Sequence, residues 1–210
     1  MHQIFNILSQ ALSILLYPLF MPTYGMILYM VAMHSRTPNL PNAYIGVAIV
    51  GTLVITALIP IVLLLILWKR GAVSSLHIDD AKERTTPYVY SVVCYGFWCY
   101  FVGVTLKMPM VWLLIAIGAT CALLMVTIIN RRWKISAHLT ALGGLLGGLC
   151  SLSLYYSVLP TMLICSVLAL SLLLMYARLY VNAHTPAQVV AGYLLGIVFT
   201  FIPNLIVSYA

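Results

Sequence analysis

Seven long apolar stretches, joined by short polar loops, constrain this chain more than any other feature. They run over Ala11–Met33, Tyr44–Trp68, Tyr88–Leu106, Pro109–Ile129, Ala137–Ser157, Thr161–Tyr180 and Pro186–Val207. Each is close to the roughly 20 residues that a helix needs to cross about 30 Å of hydrocarbon. With 64% of 210 residues hydrophobic and 6% charged, against about 25% charged in a soluble domain, a water-soluble fold could not hide this surface. The expected fold is all-α, a polytopic transmembrane helical bundle with six to seven spans. The first stretch decides the count, because Pro18 and Pro22 would kink it or split it into an interfacial piece and a short span. The polar stretches are too short to fold separately, so residues 1–210 read as a single integral membrane domain. The opening Met1-His2-Gln3 carries no basic n-region and reads as mature protein. Cys94, Cys99, Cys121, Cys150 and Cys165 lie in apolar runs without ligand spacing and read as small core residues.

Three polar loops stand out: 69–87, 130–136 and 181–185. Two spans separate the first from the second, and two more separate the second from the third. Each pair of crossings returns the chain to the same side, so all three loops share one face whatever the first stretch does. The other face offers little beyond His34-Ser35-Arg36, Lys107 and a turn near Pro160. Chemistry is therefore expected on the three-loop face.

The formal net charge is +7, and the basic residues cluster in these loops. There they set topology, meet headgroups or bind an anionic substrate; nucleic acid is not an expected partner. All three acidic residues, Asp79, Asp80 and Glu83, sit in the first loop, which gives a two-metal or carboxylate-pair mechanism little to build on. His77 and Asp79 form a His-x-Asp pair, but a solvated loop accounts for it, and no metal or other cofactor is expected. The three-loop face does hold Lys82, Arg84, Arg131, Arg132, Lys134, His138, Arg178 and His184. Arginine matches phosphate oxygens bidentately, and histidine can attack phosphorus or protonate a leaving oxygen. Together they point to phosphoryl chemistry.

The spacing sharpens this. Arg178 and His184 form R-x5-H, followed by Thr185-Pro186-Ala187-Gln188-Val189-Val190-Ala191-Gly192. The run resembles the third motif of the type-2 phosphatidic acid phosphatase superfamily of lipid phosphate phosphatases, S-R-x5-H-x3-D-V-x2-G. Ala177 replaces its Ser and Gln188 its Asp. Ile135-Ser136-Ala137-His138 keeps the Ser and His of the second motif, P-S-G-H. The first motif, K-x6-R-P, is matched loosely by Lys82-Glu83-Arg84-Thr85-Thr86-Pro87, with His77 where the Lys would stand and two residues between Arg and Pro. The resemblance covers about residues 69–210. His184-Thr185-Pro186-Ala187-Gln188 is also similar to the H-T-x-x-Q form of polyprenyl (dolichyl-type) diphosphatases.

The resemblance implies a membrane phosphohydrolase in which His184 is the nucleophile and His138 the general acid. Arg178, Arg84, Lys82 and Lys134 would bind the phosphate with a hydrogen bond from Ser136, and Gln188 would orient His184. The N-terminal N–H groups of the fifth span are available to the same anion. The implied substrate is a polyprenyl diphosphate or another lipid phosphate, hydrolysed through a metal-independent phosphohistidine. A phosphotransferase using the same site, and a non-catalytic lipid-phosphate binding or transport protein keeping the bundle, stand beside it. An intramembrane serine protease built on Ser136 and His184 lacks a G-x-S-x-G context. A purely structural account also exists for part of the motif: Thr185 as N-cap, Pro186 at N1 and Gln188 at N3 make a capping box. It leaves Arg178 and His184 unexplained.

Gly143-Gly144 and Gly147-Gly148 read as helix packing, with Gly192 and Gly196 as a counterpart. The compact length fits a bacterial cytoplasmic (inner) membrane protein. Counting every charge, the positive-inside rule puts the site in the cytoplasm, whereas the resembling phosphatases commonly face the periplasm or lumen; setting aside Lys82, Arg84 and Lys134 as phosphate ligands leaves too small an excess to fix the side.

Overall fold

The computed structural model of the chain describes residues 2–34, 41–75, 83–157 and 161–209. Among these residues every regular element is helical. The bundle is α1 (His2–Leu15), α2 (Met21–His34), α3 (Asn42–Leu53), α4 (Ile59–Lys69), α5 (Thr85–Tyr100), α6 (Met110–Ile129), α7 (Ala137–Tyr155), α8 (Thr161–Tyr180) and α9 (Pro186–Tyr209). Counting Phe5–Val31 as one interrupted crossing, seven segments are long and apolar enough to span a membrane. Their outward faces carry Phe97 at 66%, Leu172 at 68% and Met162 at 86% exposure, a belt suited to hydrocarbon. The protein is an all-helical integral membrane protein.

The first stretch is split. α1 and α2 have 14 residues each, about 21 Å at 1.5 Å per residue, so neither crosses the hydrocarbon alone. Tyr17 is extended (φ −66°, ψ 136°) ahead of Pro18, the conformation that a following proline ring imposes. The Tyr24 hydroxyl donates to the Leu15 carbonyl across the corner (2.9 Å), satisfying one of the carbonyls that the end of α1 leaves open. In the second crossing, α3 passes into α4 through a π-helical turn, Val54–Leu58. Pro60 has no N–H to give the turn before it, and the widened turn absorbs that mismatch. A second π turn, Phe101–Thr105, extends α5.

α7 runs through the centre and packs most closely on α9. A Cβ on Gly196 would overlap the Thr140 carbonyl, and one on Gly143 would overlap that of Tyr193. Gly147 meets Ile197 and Thr200 in the same way. The glycines thus let two backbones touch, as small residues do in membrane helices. Thr200 donates to the Gly144 carbonyl (3.0 Å) and Ser151 donates to the Thr200 carbonyl (3.0 Å) across this seam. Pro203 lies inside α9 and leaves the Phe199 carbonyl without its helical donor. That carbonyl faces Gly118 of α6, where a Cβ would overlap it.

Candidate active site

The three polar loops meet at one end of the bundle, each fixed by its own backbone chemistry. α8 stops in a Schellman turn: Ala183 N–H donates to the Arg178 carbonyl (3.1 Å) and Asn182 N–H to that of Leu179 (3.0 Å). Asn182 takes the left-handed conformation the turn needs (φ 53°). The R-x5-H spacing is therefore one helix end, folded so that the chain returns His184 towards Arg178. α9 begins at once with a reciprocal cap. Thr185 N–H donates to Gln188 Oε1 (3.1 Å), and Gln188 N–H donates to Thr185 Oγ1 (3.4 Å).

In the middle loop, buried Ile135 pins the chain. Ser136 is the N-cap of α7, accepting from Leu139 N–H at 3.5 Å. Its own N–H donates to the Gln188 carbonyl (3.3 Å). A Cβ on Gly192 would come within 2.6 Å of the Ser136 carbonyl, so the motif glycine admits α9 against the start of α7. In the first loop, Glu83 accepts from Ser74 N–H (2.8 Å) and Oγ–H (2.7 Å). Arg84 then sits at the start of α5, hydrogen-bonded to Tyr88.

His184 is 8% exposed, and its Nδ1 lies 3.0 Å from the Lys134 carbonyl. A carbonyl only accepts, so Nδ1 carries the hydrogen and Nε2 keeps the lone pair. Burial holds the ring's pKa down at about 4, helped by the charge of Arg178 and opposed by the Lys134 hydrogen bond; Arg84 and the Lys134 ammonium lower it further. At neutral pH the ring is an uncharged base. Nε2 of His138 lies 3.1 Å from the Ser13 carbonyl, which fixes the hydrogen there by the same argument. Arg178 Nη1 donates to Ser13 Oγ (3.3 Å), and Arg178, His184 and Arg84 all lie within electrostatic reach of His138.

His184, His138, Arg178, Arg84, Ser136 and the Lys134 backbone therefore come together from three loops and three helices. Two expected contacts differ. The Lys134 carbonyl, and not Gln188, holds the His184 N–H, because Gln188 Oε1 is engaged by the Thr185 amide. Ser136 is fully buried as a helix cap. Lys82, together with His77, Asp79 and Asp80, lies outside the described residues. No group of three or more histidine, cysteine or carboxylate side chains that could hold a metal occurs among the described residues.

Sequence reasoning did not find Ser13 or Tyr17. Ser13 serves both His138 and Arg178, and the Tyr17 ring packs edge-on to His138 (5.7 Å between centroids, 87°). A signal was available: Asn6, Ser9, Gln10 and Ser13 recur at helical spacing within an otherwise apolar run. In the structure Ser9 and Ser13 are buried, while Ile7, Leu8, Ile14 and Leu15 are exposed.

No curated protein and no solved structure matches the chain. Residues 115–210, which include Lys134, Ser136, His138, Arg178, His184 and Gln188, match the family model of the PAP2 superfamily. Over that segment the chain is similar to a superfamily of helical membrane phosphatases, and the match supports a phosphatase-type function in general.

Proposed function

We propose that this cluster hydrolyses a lipid phosphate, with polyprenyl diphosphate preferred, through a covalent phosphohistidine and without a metal ion. The observation that carries the reading is the contact of His184 Nδ1 with the Lys134 carbonyl beside Arg178, which leaves Nε2 an unprotonated nucleophile next to a phosphate-binding cation. In the first step Nε2 attacks the terminal phosphorus. The P–N bond forms as the bond from phosphorus to the bridging oxygen breaks, and His138 gives that oxygen a proton. For this His138 carries a second ring proton, on Nδ1, and the negative charge of the bound phosphate favours that imidazolium. Arg178 and Arg84 hold the charge on the phosphoryl oxygens. Water then attacks the phosphohistidine, its proton returning to His138, and inorganic phosphate leaves. An alcohol in place of water would make the same intermediate a phosphotransferase.

The test is phosphate release from polyprenyl diphosphate, phosphatidic acid and phosphatidylglycerol phosphate by purified protein in mild detergent with chelator throughout. Release is expected to survive chelation and to vanish in His184→Ala; equal release by the variant would sink the reading. A non-catalytic lipid-phosphate binder is the second reading. The observation favouring it is that a neutral carbonyl, not a carboxylate, backs His184. Phosphate trapped covalently on His184 after a rapid alkaline quench would exclude it.

A further inference from the structure

Directly beneath the cluster, an apolar cavity of about 100 Å³ runs down the inside of the bundle. Ala137, between Ser136 and His138, lines its top together with Pro18, which follows the Tyr17 that packs on His138. Its lower lining includes Trp112 and Leu152. From Ala137 to Leu152 along α7 is about 22 Å at 1.5 Å per residue. Its floor is aromatic: Tyr29 packs on Trp112 (4.7 Å between centroids), and its hydroxyl is 2.7 Å from that of Tyr156. The two glycine pairs of α7 divide their work here. Gly143 and Gly147 receive α9, whereas Gly144 and Gly148 line the cavity, opposed by Gly25 of α2. A Cβ on Gly144 would meet only Thr200 Cγ2, at 3.6 Å, so close packing does not require glycine there.

We propose that this cavity seats a single hydrocarbon tail and that Gly144 and Gly148 set its bore, making the substrate class a one-tailed lipid phosphate such as a prenyl phosphate or diphosphate. The inference rests on the phosphatase reading for the headgroup. At about 100 Å³ the resting cavity has to widen to take even one extended chain, so a diacyl lipid would leave one tail outside. Its upper end lies at Ala137, next to Ser136 and His138 in the chain, which puts a phosphate near the cluster when the tail is seated. A side chain at Gly144 would block the track nearer the phosphate than one at Gly148, which lies one helical turn deeper.

Two of the four tryptophans, Trp98 and Trp112, line the cavity, while Trp68 and Trp133 are exposed. Protein carrying Trp68→Phe and Trp133→Phe therefore reports the cavity by its fluorescence. Titration with a terminally brominated dodecanol is expected to quench it, and Gly144→Leu to weaken that quenching by about tenfold or more as several buried methylenes lose their place. Gly144→Ala, which the structure accommodates, is expected to show a smaller loss in the same direction. Gly46→Leu, where nothing lies within 4 Å, should show none. Undiminished quenching in both Gly144 variants, or none in the parent, overturns the proposal. So does wild-type hydrolysis of dioleoyl phosphatidic acid as fast as farnesyl diphosphate. Quenching that Gly144→Leu abolishes, in a protein that hydrolyses neither lipid, would keep the tail site and remove the phosphatase reading.

Discussion

At the residue scale the chemistry turns on how His184 is held. Its folded pKa of about 4 lies below the ordinary histidine value of 6.5, so the unfolded chain binds more protons between these values. Stability should therefore be fully present above pH 6.5 and fall as the pH drops towards 4. Under the proposed mechanism the same ring must be unprotonated to attack. The acidic limb of kcat/KM is expected to break near pH 4, and not near 6.5, in a pH–rate profile on farnesyl diphosphate. A limb at 6.5 would mean that burial and Arg178 do not govern the working nucleophile. Gln188 gives a second discrimination. Its side chain caps α9 through Thr185, so Gln188→Ala should lower thermal stability by about 1 kcal/mol and leave turnover within a few-fold of the parent. A loss of orders of magnitude at unchanged stability would instead assign it the orienting role read from the motif. The capping box itself was legible, because Thr-Pro-x-Gln writes its own local hydrogen bonds. The Lys134 carbonyl was not, since a backbone acceptor has no letter in the sequence.

At the scale of elements, α1 and the α7–α9 seam do different work. α1 is buried along Ser9 and Ser13 and reaches α8 at its site end, where the Phe5 ring lies 6.0 Å from that of Tyr180. Proline-enforced extension at Tyr17 turns this helix off the axis of α2 and brings Ser13 to Arg178. A hydrogen bond to a charged group contributes about 1.5–3 kcal/mol, so Ser13→Ala should lower stability by about that much and, with Arg178 less firmly held, lower kcat/KM by about tenfold. Equal activity would make α1 a bystander. The glycine seam is read by its own contrast. Gly196→Ala forces a methyl onto the Thr140 carbonyl and should cost about 1–3 kcal/mol or more, as overpacking does. Gly46→Ala meets nothing within 4 Å and should be neutral or stabilise by up to about 1 kcal/mol. Thermal unfolding in one detergent compares them directly. The seam was readable because small residues four apart announce close approach. The role of α1 was hidden because its serines fall within a run that hydropathy reads as membrane.

For the whole molecule, the crossings were the most legible level, because each needs only length and apolarity. That the three loops share one face followed from parity alone, because an even number of crossings separates each pair; the His184–Lys134 contact joins two of those loops directly. What parity could not give was the interior. The cavity depends on which glycine of each pair faces α9 and which faces α5 and α6, and that is set by the rotation of α7 about its axis. Parity also yields a topological prediction that any membrane containing the protein can test. The native cysteines lie within membrane-spanning helices, so a membrane-impermeant thiol reagent should scarcely label the parent. Single Arg70→Cys, Arg131→Cys and Val181→Cys variants should label from one side of sealed vesicles, and Asn42→Cys from the other. The side taken by the three also fixes which compartment the histidines face, because the contacts between the loops tie site and label together. If one of the three labelled from the opposite side, an odd number of crossings would separate it from the others. Either the span count or the shared site would then have to be given up.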